Sequence, residues 1–162
     1  MDWTIYPNVG LGPLRFGMSP EQARTAAPWL GVPHHVDQEF DGSVREARGV
    51  ELPSIGYAGG RLIDVDCSAH VAGVTFEGVD VFATEPAHVL RRLYALNGGA
   101  LAGLGSVLFL KLGINTGGFF DLDTGRFATL DPETKSYRTL AVFAPGMFDE
   151  LATEMTPITF PA

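Results

Sequence analysis

The chain predicts an α+β fold, an antiparallel β-sheet with helices packed on one face, and three observations lead there. Helix-like and strand-like stretches come in blocks along the chain, in the order helix, strands, helix, strands, helix. The strand-like runs are short, rich in Val, Ile and Phe, and cut by turn residues drawn from 20 Gly and 11 Pro. Apolar residues make up 46% of 162 residues and charged residues 19%, enough for a core that needs neither metal nor disulfide.

The elements follow in order. Trp3 to Tyr6 reads as a strand stopped by Pro7-Asn8, and Pro13 to Phe16 as another. Ser19-Pro20-Glu21-Gln22 combines an N-cap, a proline at the first helical position and a capping-box partner. Ala23, Ala26, Ala27 and Leu30 continue at helical spacing until Pro28, which clashes with the carbonyl four residues back and ends the helix near Ala27. Leu62 to Cys67 alternates like a half-buried strand after an Ala58-Gly59-Gly60 hairpin turn. Val74 to Phe82 reads as one strand with a bulge at Gly78. Thr84 caps a second helix whose apolar face is Val89, Leu90, Leu93, Tyr94 and Leu96, and Asn97-Gly98 stops it. Strands are then expected over Val107–Ile114, Phe119–Asp123, Phe127–Leu130 and Thr139–Ala144. A last helix from about Gly146 to Met155 buries Met147, Phe148, Leu151, Ala152 and Met155.

The domain expectation is a single unit over residues 1–162, with two degenerate helix-plus-sheet repeats, about 1–82 and 83–162, as its finer form. Ile55-Gly56 to Asp64-Val65-Asp66 resembles Leu112-Gly113 to Asp121-Leu122-Asp123, each with a Gly-Gly pair and a closing Asp-apolar-Asp. Chance similarity between Gly-rich hairpins is the competing explanation.

Composition excludes several functions. A net charge of −8 argues against a phosphate-backbone binder, so no nucleic acid is expected. One cysteine, Cys67, makes no internal disulfide and suits a reducing compartment. The start Met1-Asp2-Trp3-Thr4 has no basic stretch followed by an apolar run, and Ala100–Leu110 is too short to span a bilayer, so the expectation is cytoplasmic, with no membrane contact.

Gly10-Leu11-Gly12-Pro13-Leu14-Arg15-Phe16-Gly17-Met18-Ser19-Pro20-Glu21-Gln22-Ala23 runs a strand through a Gly-Met-Ser step into the first helix. This opening resembles that of β-lactamase-inhibitor-protein-like domains and of the related small bacterial outer-membrane assembly lipoproteins. The resemblance implies helices against an antiparallel sheet, sometimes in tandem, and binding to other proteins in place of catalysis. The chain departs from that group in lacking both a lipoprotein cysteine near residue 1 and the disulfides of the secreted inhibitors.

No motif fixes a chemistry. Cys67 and His70 look like a thiol and a base but lack an orienting third group, and a buried, inert Cys67 is expected. His35 and Asp37 share a strand face, and two ligands are too few for structural zinc. Asp64/Asp66 and Asp121/Asp123 each place two carboxylates on one face by i, i+2 spacing. Such pairs fit solvated strand faces, an acidic partner-binding surface, or a metal or acid–base site. A calcium loop starting at Asp121 fails, because Pro132 stands where the bidentate Glu belongs. The Gly98–Gly105 run joins helix to strand, the wrong order for a phosphate loop.

The leading expectation is therefore a non-enzymatic protein-binding domain without catalytic residue, metal or cofactor. Its finer form is an intracellular bacterial immunity or inhibitor-type protein that occludes a basic partner such as a toxin. Its binding residues are Asp64, Asp66, Asp121 and Asp123, with Tyr57 and Tyr137 as exposed anchors and Trp29 more fitted to the core. The alternatives are a small enzyme or ligand-binding domain using the strand aspartates, and a structural adaptor or homodimer built through a sheet edge or the last helix. Monomer and homodimer both stay open.

Overall fold

A computed structural model describes residues 1–162. In chain order, β1 (Trp3–Tyr6), β2 (Gly10–Leu11) and β3 (Leu14–Arg15) lead into α1 (Pro20–Ala26). The Ser19 hydroxyl accepts from the Gln22 N–H at 3.1 Å, and the Gln22 side chain accepts from the Ser19 N–H at 2.9 Å, so both orphan donors of the first turn are satisfied. The helix gives way at Ala27 to a 3-10 turn, Pro28–Leu30. Then come β4 (His35–Gln38), β5 (Val44–Ala47), β6 (Ser54–Ala58) and β7 (Arg61–Ser68). Gly59 and Gly60 have φ of 57° and 72°, the two consecutive positive values of a tight hairpin turn.

β8 (Val74–Phe76) and β9 (Val79–Asp80) precede α2 (Pro86–Asn97). The expected single strand over Val74–Phe82 is thus a hairpin. Glu77 and Gly78 both take positive φ, 51° and 78°, so Gly78 turns the chain and does not bulge it. Glu85, with no side-chain bond, occupies the α2 N-cap in place of Thr84. After α2 come β10 (Leu101–Gly103), β11 (Ser106–Phe109) and β12 (Ile114–Gly117). A turn at Leu110–Gly113 breaks the strand expected over Val107–Ile114 in two. β13 (Phe120–Asp121), β14 (Arg126–Phe127), α3 (Pro132–Lys135), β15 (Thr139–Phe143), α4 (Asp149–Ala152) and β16 (Thr156–Pro157) complete the chain. The last helix is one turn where ten residues were expected. Gly146, at φ 88°, holds a turn just before it, and Met155 enters the core from beyond its end.

The architecture is α+β. Nine strands form one antiparallel sheet in the order β16-β10-β11-β12-β15-β7-β6-β5-β4. The order is mirrored about the central β7/β15 pair: an N-terminal meander lies on one side and a C-terminal one on the other. β13 and β14 form a separate hairpin within the excursion between β12 and β15. A second sheet, β3-β2-β1-β8-β9, comes wholly from the N-terminal half, its two parts joined where β1 and β8 run parallel, Trp3 beside Val74.

Register shows which residues share a face, because paired residues project to the same side. Ile55, Val65, Val142, Ile114 and Phe109 make one continuous row across five strands. Cys67, Leu140, Thr116 and Val107 make the next. Both rows are buried, the apolar members packing in one core with Ala23 of α1, Val89, Leu90 and Leu93 of α2, and Trp3 of the second sheet. Each large side chain so buried contributes about 1.5–3 kcal/mol. Trp29, expected in the core, stands about half exposed in the 3-10 turn. Arg138 is buried at the end of the excursion. Its guanidinium donates to the Thr129 carbonyl and lies 5.9 Å from the Phe119 ring centre, tying the excursion down.

Candidate functional site

The opposite face of the nine-stranded sheet is the outer face, and it is divided. At one end Leu108, Phe143 and Met155 form a small buried cluster with Leu101, Leu110, Phe148 and Leu151. The Phe143 and Phe148 rings meet edge-on at 4.3 Å. Beyond this cover the rows turn polar and small. Leu108, Asn115, Ala141, Asp66 and Ser54 lie in register across one row. Ser106, Gly117, Thr139 and Ser68 form the row beside it. Phe143, Asp64, Gly56, Arg45 and Asp37 form a third. No helix covers the polar end.

Asp64 is only 4% exposed. Its Oδ2 accepts from Arg45 Nη2 at 2.5 Å, and Arg45 Nη1 donates to Ser54 Oγ at 3.2 Å. Its Oδ1 is buried and has no donor. That oxygen occupies the space a β-carbon on residue 56 would need, so a glycine on the neighbouring strand is what admits the carboxylate. Burial raises the Asp64 pKa, against the pull of Arg45. Asp66, two residues on, is also raised, first by burial, with Arg45 lowering it and Asp64 raising it further. Arg45 thus bonds Asp64 alone and acts on Asp66 only through space. Asn115 Oδ1 is likewise buried without a donor. A cleft of about 360 Å³ reaches Asp64, Arg45 and Gly56 past Glu39, Asp41 and Met147.

The chain matches no protein family, no curated protein and no solved structure.

The other expected residues lie elsewhere. Asp121 is on β13, outside the nine-stranded sheet, and Asp121 and Asp123 line a different cleft from Asp64. In the mirrored strand order the counterpart of β7 is β15, not the Asp121 segment. The Asp121 carboxylate is spent on its own turn. It accepts from the Thr124 N–H at 3.2 Å and the Asp123 N–H at 2.9 Å, bonds that hold its pKa below the ordinary carboxylate value. Asp123 and the exposed Tyr137 line an open cleft of about 790 Å³ with Arg126 and Thr134. Tyr57 is 3% exposed, so it is a core residue and not a surface anchor. Burial, helped by the charge of Glu46, pushes its phenol up to about 12.

Cys67 points into the core, and burial, then the charge of Asp66, pushes its thiol up. A protonated, buried thiol is no nucleophile. His35 Nε2 lies 2.7 Å from Asp37 Oδ1 on exposed β4. No group of three or more His, Cys, Asp or Glu side chains converges, and no helix is long and apolar enough to cross a membrane. Local spacing did place Asp64 and Asp66 on one face. Local spacing does not point to Arg45, Ser54, Asn115 or Thr139, because only long-range register brings them there.

Proposed function

We propose that this is a non-enzymatic, cytoplasmic protein-binding domain of the inhibitor or immunity type, which seats a basic partner such as a toxin on the bare end of its outer sheet face. The observation that carries this reading is an uneven charge balance: Arg45 is paired with Asp64, and Asp66, on the same face two residues on, has no ion-pair partner. A lysine or arginine from a partner supplies the missing positive charge at a site already desolvated, where charge-assisted hydrogen bonds are strongest. Ser, Gly, Ala and Thr side chains around it let a partner approach closely. The net charge of −8 speeds the encounter by long-range steering.

The test is capture from the native cell on the immobilised chain, washed at rising salt. The wild type is expected to hold a basic protein at low salt and release it as salt screens the attraction. Asp66→Asn and Thr139→Arg are expected to hold none. Capture that ignores both substitutions, or no capture at low salt, overturns the reading.

A second reading draws on the raised Asp64 lining a cleft, with the raised Asp66 two residues on, the pattern of an acid–base or ligand-binding site. Turnover of a small molecule that disappears in folded Asp66→Asn would establish it.

A further inference from the structure

The two ends of the nine-stranded sheet differ. β16 is two residues long and ends in Pro157, which has no N–H to offer a neighbour. β4 is four residues long and exposed throughout, and its outer edge is unpaired. Three large apolar side chains are exposed in and around it, Val32 at 77%, Val36 at 53% and Phe40 fully. They are spaced four residues apart, with Val36 in the middle.

A strand that pairs antiparallel with its own copy has few registers to choose from. Centring the pair on His35 sets the two histidines against each other. Centring it on Asp37 apposes two carboxylates, which repel. Centring it on Val36 sets Val36 against Val36 and His35 of each copy opposite Asp37 of the other, so the two His35–Asp37 pairs, each 2.7 Å within its own chain, meet with unlike groups facing. Val32 and Phe40 lie outside the four paired residues, in the bend before β4 and in the turn after it, so they flank the contact without setting its register. Charge and the central valine thus select one twofold arrangement.

We propose that two copies of this chain pair antiparallel through β4, with Val36 on the twofold axis. The contact joins two nine-stranded sheets into one and leaves the outer face around Asp66 free, so it is independent of the partner-binding reading. A four-residue edge is small beside the roughly 1,200–2,000 Å² buried in standard complexes. The dimer is correspondingly weak.

Sedimentation equilibrium of the whole chain from about 1 µM to about 1 mM tests this. The wild type is expected to pass from monomer to dimer across that range. Val36→Lys is expected to weaken the dimer about tenfold or more, whereas Leu104→Lys, the same charge change on an exposed turn at the other end of the sheet, leaves it unchanged. His35→Asp weakens it about tenfold by setting carboxylate against carboxylate, and the swap His35→Asp with Asp37→His restores it. Circular dichroism checks that each variant is folded. A wild type that stays monomeric at the highest concentration overturns the proposal. So does equal dimerisation by the two lysine variants, or a folded swap variant no tighter than His35→Asp.

Discussion

The two ends of the outer sheet face are built on the same strands from opposite materials. At one end Phe143 is sealed under Phe148, Leu151 and Met155. One position across, in register with Phe143, Asp64 is nearly as buried but has a single arginine for company. The first contact is satisfied within the chain. The second, counted with Asp66 beside it, is left one positive charge short. Burial alone therefore does not mark a core, and the polarity of what is buried tells the two ends apart.

Phe143→Ala attacks the sealed end hardest. It opens a cavity under Phe148 and is expected to cost about 3–5 kcal/mol, read as a lower denaturant midpoint with the slope retained. If the loss is below about 1 kcal/mol, the cover is loosely held and the contrast between the ends is weaker than described. Arg45→Met strips Asp64 of its one partner. Breaking a buried pair costs about 3–5 kcal/mol, but a third of Arg45 is in water, so about 2 kcal/mol is expected by the same measurement.

Asp66→Asn sharpens the contrast in the other direction. A carboxyl whose folded pKa lies above its unfolded one favours the fold when protonated. That contribution is complete below the unfolded value, near 3.8, and is lost as pH climbs through the folded value. The variant is therefore expected to be more stable than the wild type at neutral pH, by up to about 1 kcal/mol, with the gain vanishing towards pH 4. Thermal melts across that range check it; a gain equal at both pH values would mean that charge is not the cause. Thr139→Ala, at an exposed position in the polar end, is expected to change stability by less than about 0.5 kcal/mol.

What could be read in advance was local. Ser19 and Gln22 form the capping box that their spacing predicts, and Gly59-Gly60 turns the hairpin its residues predict. The α+β class followed from such pieces. Failures arose where local pattern and backbone geometry diverged. Glu77 at positive φ turned an apparent bulge into a hairpin, and the Leu110–Gly113 turn cut an apolar run that reads as continuous. For the site, i, i+2 spacing sufficed for Asp64 and Asp66. It misled for Asp121 and Asp123, whose backbone closes into an Asx-type turn. It was silent about Arg45 and Thr139, which reach the same face through pairings 19 and 71 residues away in sequence.

The central β7/β15 pair also bears on how the molecule is made. Ser68 must wait for Thr139, a gap of roughly 70 residues, which a ribosome adding about 5–20 residues per second takes several seconds to cover. Throughout that interval a strand carrying Val65 and Cys67 has one side unclaimed, an opening for chaperones or for mispairing between nascent chains. The N-terminal half is thus committed to waiting on the C-terminal half before the middle of the molecule can close.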